Sequence, residues 1–269
     1  MLKQRILTAL VMAPVAIGCL FFLPTLGFQV FVAAIITVGA WEWGNFAGLS
    51  MPGRYVYAAA IAGLLVLSFF VPGLWILIAG CFWWLLAFFL MRQYPGSAER
   101  WSTPALISLI GLFVLVPGFV SLLVLKDSSS PNFLILLLFF LIWGADIGAY
   151  FTGRVLGKRK LAPEVSPGKS WEGFYGGLVI ALAIGVGMFL WHGNPDLLTP
   201  NGWIWMLCLV LVIVVSVLGD LAMSMFKRNC GVKDSSNLLP GHGGVLDRID
   251  SLLSAGPVFA LMILLLGWP

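Results

Sequence analysis

The sequence predicts an all-α polytopic integral membrane protein with about nine transmembrane helices, and its composition and its hydropathy pattern are the two reasons. Of its 269 residues, 61% are apolar and only 10% are charged, and the mean hydropathy is +1.03. Soluble domains average about 45–50% apolar and about 25% charged residues, because their surfaces have to be polar. The composition therefore excludes a soluble domain, a disordered chain, a coiled coil and a secreted disulfide scaffold.

The second reason is a series of apolar runs, most of them close to the ~20 residues that a helix needs to cross a bilayer. The predicted spans are, in chain order, Leu7–Leu23, Phe28–Phe46, Tyr57–Val71, Leu74–Met91, Leu106–Leu125, Phe133–Thr152, Phe174–Trp191, Trp203–Ala222 and Leu252–Trp268. The weakest break is the pair Pro72-Gly73, which is able either to end a helix or to kink one.

Charge counting predicts a helix end at this break. If the break separates two spans, every Lys and Arg except Lys126 lies on one side of the membrane. That side contains the N-terminus and the loops after the second, fourth, sixth and eighth spans. Merging the two spans across Pro72 destroys that asymmetry. By the positive-inside rule, the N-terminus is predicted to be cytoplasmic and the C-terminus to lie outside. The first span is predicted to be a retained signal anchor, because apolar residues rather than a polar spacer follow Cys19.

The chain divides into two regions according to where its polar residues fall. Residues 1–130 predict five membrane helices, whereas residues 131–269 predict a catalytic membrane region with two cytoplasmic loops, 153–173 and 223–251. Nine spans leave roughly 90 residues, too few for a separate soluble domain, so any chemistry is expected in loops and helix ends. The four cysteines form no CxxC pair and indicate neither a zinc site nor a disulfide framework.

Three predicted helices contain an acidic residue, namely Glu42, Asp146 and Asp220, and each acid lies in the half nearer the cytoplasm. Charges within a membrane span are costly and tend to be functional. An ion pathway is expected to place some acids near the midplane or on the far side. The observed distribution therefore favours a site that is loaded from the cytoplasm.

The first loop contains five basic residues and the turn Ser166-Pro167-Gly168-Lys169-Ser170. Lys169 supplies positive charge, while the Ser166 hydroxyl and the backbone N–H groups supply directed donors, a combination that suits a phosphate group. The alternative is an ordinary positive-inside loop that only sets orientation, and the composition leaves both interpretations open.

The second loop combines acids and bases at helical spacing. If the helix before it continues past the membrane, Asp220, Ser224 and Lys227 share one face at i, i+4 and i+7. Asp247 and Asp250, at i and i+3, share a face near the start of the last helix, where the helix dipole favours carboxylates. Carboxylates from two elements, with Lys and Arg around them, are what a Mg²⁺–polyphosphate site requires.

Between these acids lies the turn Pro240-Gly241-His242-Gly243-Gly244, whose glycines permit a close approach of the backbone to a ligand. Each part of the loop also has a structural interpretation. Asp247 and Asp250 could cap the last helix, and His242 could be a hydrogen-bonding residue rather than a metal ligand. Asp234 is expected to pair with a nearby base.

These residues resemble a known signature. The pattern consists of Ser224-x2-Lys227-Arg228-x4-Lys233-Asp234-x5-Pro240-x-His242-Gly243-Gly244-x2-Asp247-Arg248-x-Asp250, preceded by Asp146-x3-Tyr150 and by Ser166-Pro167-x-Lys169-Ser170-Trp171-Glu172-Gly173. It is similar to the signature of the phosphatidate cytidylyltransferases, also called CDP-diacylglycerol synthases. The similarity is specific from about Asp146 to Asp250, whereas the preceding residues agree only in forming short membrane helices.

The resemblance implies an enzyme of the bacterial inner membrane that converts CTP and phosphatidate to CDP-diacylglycerol and pyrophosphate at the cytoplasmic face, with Mg²⁺. The metal ligands assigned on this basis are Asp220, Asp247 and Asp250. The catalytic residues are Asp220, Lys227, Asp247 and Arg248. The substrate-binding residues are Ser166, Lys169, Ser224, Arg228, Lys233, His242, Gly243 and Gly244.

The protein is expected to be surrounded by membrane lipid, and no nucleic acid partner is expected. The resemblance suggests a homodimer.

Two other classes of function stay open. A related membrane enzyme could use CTP to phosphorylate a lipid alcohol, and production of pyrophosphate and lipid-linked cytidine distinguishes the two reactions. A transporter with a cytoplasmic nucleotide site would need polar residues along a route to the far side, and the outer halves of the predicted helices contain almost none.

Overall fold

A computed structural model describes residues 14–15, 17–192 and 199–267. Eight long helices make up most of it: α1 Thr25–Phe46, α2 Met51–Leu67, α3 Gly73–Arg92, α4 Pro104–Lys126, α5 Pro131–Leu156, α6 Trp171–Trp191, α7 Pro200–Asn229 and α8 Leu246–Leu266. Single helical turns lie at Ser68–Phe70 and Ala98–Trp101. Within the described residues, eight helical segments are long and apolar enough to cross a membrane.

The predicted all-α membrane architecture is therefore confirmed. The eight helices correspond to the second to ninth predicted spans, and the first predicted span, Leu7–Leu23, is described only at residues 14–15 and 17–23. The break at Pro72-Gly73 is also confirmed, because the chain leaves α2 through the turn at Ser68–Phe70 and α3 begins at Gly73. Val71 is extended there, and Pro72 cannot donate the backbone hydrogen bond that continuation of a helix requires.

The first loop is more ordered than the sequence predicts. It contains an antiparallel hairpin of β1 (Lys160–Ala162) and β2 (Ser166–Ser170), and α6 begins at the next residue, Trp171. The hydroxyl of Ser170 caps α6 by accepting a hydrogen bond from the Gly173 backbone N–H at 3.1 Å. Pro167 and Gly168 are poor strand formers, so composition alone indicates a loop where pairing with β1 imposes a strand.

Helices α5 and α6 pack closely because small residues line their interface. A Cβ atom on Gly148 would lie 2.9 Å from the Gly177 Cα atom, so only a glycine permits this approach. A Cβ atom on Gly144 would likewise lie 3.2 Å from the Ala181 Cα atom. This packing fixes the hairpin, which joins the two helices, at one end of the bundle.

The last helix, α8, occupies the centre of the bundle and contacts α1, α3, α4, α5 and α7. Its first residue, Leu246, is completely buried, so the loop that precedes α8 ends inside the protein. The hairpin reaches this same end of the bundle, where Arg228 of α7 donates from Nε to the Val165 carbonyl oxygen at 3.3 Å. At the other end, the ammonium of Lys126 donates to the Leu20 carbonyl oxygen at 3.1 Å.

Candidate active site

The hairpin forms one wall of the candidate site, and Glu172 at the start of α6 fixes it. Its carboxylate accepts hydrogen bonds from the backbone N–H groups of Lys158 and Arg159 at 3.0 and 3.1 Å, and from Arg159 Nε at 3.1 Å. Because these contacts anchor the strand entering the hairpin, β2 is presented to α7 with Lys169 pointing toward it. The sequence signature includes Glu172, but this anchoring role was not predicted.

Lys169 and Asp220 form the first ion pair of the site, with the ammonium of Lys169 donating to Oδ2 of Asp220. About a quarter of each side chain is exposed. Asp146 of α5 interacts electrostatically with both residues. The structure thus brings the basic loop and the acid of α7 together.

A cavity of about 350 Å³ opens beside this ion pair. Its polar lining comes from Asp146, Arg154, Lys169 and Ser170, and its apolar lining includes Leu161, Phe174 and Val217. A second cavity of about 550 Å³ shares these three apolar residues and is otherwise lined mostly by apolar side chains of α3, the hairpin and α7. The two cavities therefore meet at one wall, and Lys169 lines the first of them.

Lys227 and Asp247 form the second ion pair, with 2.7 Å between Lys227 Nζ and Asp247 Oδ1. This pair is more buried than the first, since the side chains are 13% and 6% exposed. The other carboxylate oxygen of Asp247, Oδ2, accepts from the Ser235 backbone N–H at 2.8 Å, from Ser235 Oγ at 3.0 Å and from the Gly244 backbone N–H at 2.9 Å. Asp247 is consequently fixed in orientation on both sides.

Asp250 of α8 is close enough to both ion pairs to interact with one residue of each. It interacts electrostatically with Asp220, Asp146 and Lys227, and its Oδ1 accepts from the Ser251 backbone N–H at 2.8 Å. In residues 14–15, 17–192 and 199–267, no group of three or more His, Cys, Asp or Glu side chains is arranged as a metal site by protein ligands alone.

The glycine turn packs directly against Asp247. Gly241 and Gly243 have φ angles of +77° and +83°, a region that glycine adopts without steric cost. A Cβ atom on Gly243 would also lie 2.7 Å from Oδ2 of Asp247. Glycine is required at Gly243 both for the backbone conformation and for the room it leaves the carboxylate.

Comparison with known proteins identifies the family of the chain. The model of the cytidylyltransferase family matches residues 3–266. The chain belongs to the cytidylyltransferase family. It is 48% identical to a Pseudomonas aeruginosa protein named phosphatidate cytidylyltransferase, over 100% of this chain and 99% of that protein. Proteins of the same name from Haemophilus influenzae and Brucella suis are 42% and 35% identical over 97% of this chain, covering 98% and 92% of their own lengths. The family suggested by the sequence signature is confirmed.

Other signature residues of this cytidylyltransferase contact backbone groups. Arg248 Nη2 donates to the His242 carbonyl oxygen at 2.9 Å and so supports the glycine turn. Arg228 supports the hairpin through its hydrogen bond to Val165. In the described part of the chain, the side chains of Ser166, Ser224 and Lys233 form no ion pair or hydrogen bond with the acids of the site.

Sequence reasoning did not place Glu42 or its serine partners in the site. Glu42 of α1 is completely buried and contacts Ser235 and Ser236, next to the glycine turn. The only signal was that Glu42 is the single charged residue of an otherwise apolar helix. That signal indicates a functional acid, but it does not identify a partner about 200 residues further along the chain.

Proposed function

We propose that this cytidylyltransferase transfers the cytidylyl group of CTP to phosphatidate, giving CDP-diacylglycerol and pyrophosphate. The observation that carries the proposal is the convergence of the Lys169–Asp220 and Lys227–Asp247 pairs around Asp250 at one end of the bundle. The names of the full-length relatives support the same substrates.

The reaction needs no protein nucleophile. A phosphate oxygen of phosphatidate attacks the α-phosphorus of CTP, and the bond from that phosphorus to the oxygen shared with the β-phosphate breaks, so pyrophosphate leaves. The protein contributes positioning and stabilisation of negative charge. Lys169 and Lys227 are suited to this role, because an incoming triphosphate offers their ammonium groups phosphate oxygens as alternatives to the carboxylates.

The remaining signature residues would complete substrate binding around these lysines. Arg228, Arg248 and the exposed Lys233 would add positive charge near the triphosphate. Neutral donors would come from the remaining predicted substrate-binding residues, namely Ser166, Ser224, His242, Gly243 and Gly244.

We propose Mg²⁺ as the cofactor, held by Asp220 and Asp247 with Asp250 beside them. The carboxylates fit this ion: Asp220 Oδ1 accepts no hydrogen bond from the described residues, and Asp247 Oδ1 accepts only from Lys227. Mg²⁺ is usually bound by one or two carboxylates together with substrate phosphates and water, so two protein carboxylates are sufficient. The ion would supply charge neutralisation for the triphosphate.

The second cavity suits the lipid substrate, because most of its lining is apolar. Its wall shared with the first cavity, formed by Leu161, Phe174 and Val217, would let the phosphate group of phosphatidate approach Lys169 while the acyl chains lie among apolar side chains. We infer that the lipid enters from the membrane and CTP from the aqueous side.

We propose that the site faces the cytoplasm across a bacterial inner membrane, since the basic loops belong to this end of the bundle. Single-cysteine variants at Lys158, Lys233 and Asp196, in a background without native cysteines, test the orientation with a membrane-impermeant thiol reagent. Labelling of the first two only from the cytoplasmic side, and of the third only from outside, is expected. Labelling of positions 158 and 233 on opposite faces contradicts the proposed topology.

The assembly is proposed to be a homodimer, on the strength of the family resemblance. The mass of the protein in detergent, measured by light scattering with the detergent contribution subtracted, should be twice the chain mass of 29.2 kDa. A single-chain mass at the concentrations used for the activity assay contradicts this proposal.

The activity is tested with purified protein in detergent, labelled CTP and phosphatidate, with and without EDTA. Lipid-linked cytidine and pyrophosphate should appear in equal amounts, and EDTA should abolish both. In a parallel assay with a lipid alcohol in place of phosphatidate, release of CDP with transfer of a phosphate to that alcohol would instead identify the CTP-dependent kinase. Formation of neither product contradicts the proposed function.

A further inference from the structure

Glu42 lies in an unusual position for an acid. Its side chain is completely buried near the end of α1, and its carboxylate forms no ion pair in the described part of the chain. A buried carboxylate is costly unless hydrogen bonds compensate for lost hydration. The hydrogen-bond partners of Glu42 therefore indicate what the residue does.

The hydrogen bonds of Glu42 reach two separate segments near the site. Oε1 accepts from the Val245 backbone N–H at 2.9 Å and from Ser236 Oγ at 2.5 Å. Oε2 accepts from the Leu246 backbone N–H at 2.7 Å and lies 3.1 Å from Ser235 Oγ, whose single hydrogen is shared with Asp247. One carboxylate from α1 therefore joins the serine segment to the first turn of α8.

Glu42 supplies a helix cap that α8 lacks locally. Val245, at the N-cap position, has no side-chain cap of its own. The first backbone N–H groups of a helix have no partner within the helix and favour a negative charge. Glu42 satisfies two of them from another helix, so the start of α8 is held relative to α1.

Ser235 connects Glu42 to Asp247. Its hydroxyl oxygen lies 3.1 Å from Glu42 Oε2 and 3.0 Å from Asp247 Oδ2, and its backbone N–H donates to the same Asp247 oxygen at 2.8 Å. With Oδ2 held on this side, Oδ1 of Asp247 faces Lys227. Glu42 on membrane helix α1 is thus connected to the second ion pair through two contacts, from Glu42 to Ser235 and from Ser235 to Asp247.

The surrounding packing makes this connection rigid. Trp43, the residue after Glu42, donates from its indole to the Ile107 carbonyl oxygen at 2.7 Å and packs against Phe226 of α7 with 5.1 Å between ring centroids. A Cβ atom on Gly244 would collide with the Glu42 carboxylate and with Ser235 Oγ. The carboxylate therefore has little room to turn.

We propose that Glu42 is a positioning residue, which acts through Ser235 and the first turn of α8 to hold Asp247 in its reactive orientation. The inference rests on the proposed function, because Asp247 is assigned there to metal and substrate. Glu42 itself contacts neither substrate in this assignment. Its loss should therefore lower kcat by misplacing Asp247 and leave the KM for CTP nearly unchanged.

The test compares Glu42→Gln, Glu42→Ala, Ser235→Ala and the Glu42→Gln/Ser235→Ala double variant. We expect kcat per folded molecule to fall by about 10–100-fold in Glu42→Gln, the size of loss typical of outer partners of a ligand, and further in Glu42→Ala, with KM for CTP within about twofold. Because both residues act along one path, the double variant should lose much less than the product of the two single losses. Thr37→Val, which removes a local hydrogen bond one turn earlier on α1, is the control and should retain activity.

Hydrogen exchange on the purified proteins provides a readout that does not depend on activity. Backbone amides of residues 232–250 should exchange faster in Glu42→Ala and not in Thr37→Val. Faster exchange with unchanged kcat would show a purely structural role and overturn the proposal, as would unchanged exchange. If the unaltered protein makes no CDP-diacylglycerol, the proposed function fails, while exchange still decides whether Glu42 holds this segment.

Discussion

The two sides of the candidate site use the same residue types but are built differently. On the outer side, where the hairpin meets α5 and α7, Asp220 accepts from Lys169 alone, and about a quarter of each side chain is exposed. On the inner side, where the α7–α8 loop meets α1, Asp247 accepts from Lys227, Ser235 and Gly244 and is 6% exposed.

This difference indicates that the two sides have different roles in the site. Partly exposed ion pairs are screened by solvent and contribute less than buried ones, so the outer lysine can leave its carboxylate for a phosphate at a lower cost than the inner one. Removing one partner of a buried pair typically costs about 3–5 kcal/mol. The inner side is therefore suited to keep its geometry while the outer side adapts to the substrate.

The largest expected effect tests whether both sides are essential. Asp220→Asn and Asp247→Asn keep the size of the side chain and remove its charge, so turnover should fall by at least ~100-fold in each if both carboxylates bind Mg²⁺. The measurement is the initial rate as a function of Mg²⁺ concentration. If Asp247 only capped α8, its Asn variant would be nearly harmless, since Asn caps a helix equally well. Near-normal turnover in either variant at ordinary Mg²⁺ refutes the metal assignment.

The next effect concerns the outer lysine. Lys169→Ala should lower turnover by about 10–100-fold, because a charge-assisted hydrogen bond to phosphate is worth about 1.5–3 kcal/mol. Lys160→Ala is the matched control: it is exposed on the neighbouring strand and should change turnover little. Steady-state rates at saturating CTP make the comparison. Equal, small effects of both changes would mean that this loop only sets membrane orientation.

A third effect separates the two sides by stability rather than activity. Asp247→Asn should lower the free energy of unfolding by about 3–5 kcal/mol, because it leaves the buried Lys227 ammonium without its counter-charge. Asp220→Asn should cost less, because the Lys169–Asp220 pair is partly exposed. Thermal unfolding in the same detergent, without substrates, measures both. Equal destabilisation by the two variants would contradict the distinction drawn between the inner and outer sides.

The sequence predicts the membrane helices well and, on the outer side of the site, only the separate residues, because both depend on local patterns. Apolar runs define the spans, and the basic loop and the acid of α7 are recognisable separately. The inner side is less predictable, since Glu42 and Leu246 are 204 residues apart in the chain. Hydropathy shows that burying Glu42 is costly, but only the packing of α1 against α8 shows which donors compensate for that cost. The hairpin was missed for the same reason: its strand pairing overrides a composition rich in Pro and Gly.

The smallest effect is expected at Asp234, which is exposed although it directly precedes the fully buried Ser235. The expectation that Asp234 pairs with a nearby base is wrong for the described residues, which form no ion pair with it. Exposed substitutions of this kind usually change stability by about 0.5 kcal/mol or less, so Asp234→Asn should retain turnover within about twofold. The same Mg²⁺ titration used for Asp247→Asn provides the measurement. A loss as large as that of Asp247→Asn would mean that Asp234 also reaches the metal or the triphosphate. In that case an exposed residue of the α7–α8 loop would act together with the buried Asp247. Burial would then no longer distinguish the residues that fix the site from the residues that contact the substrate.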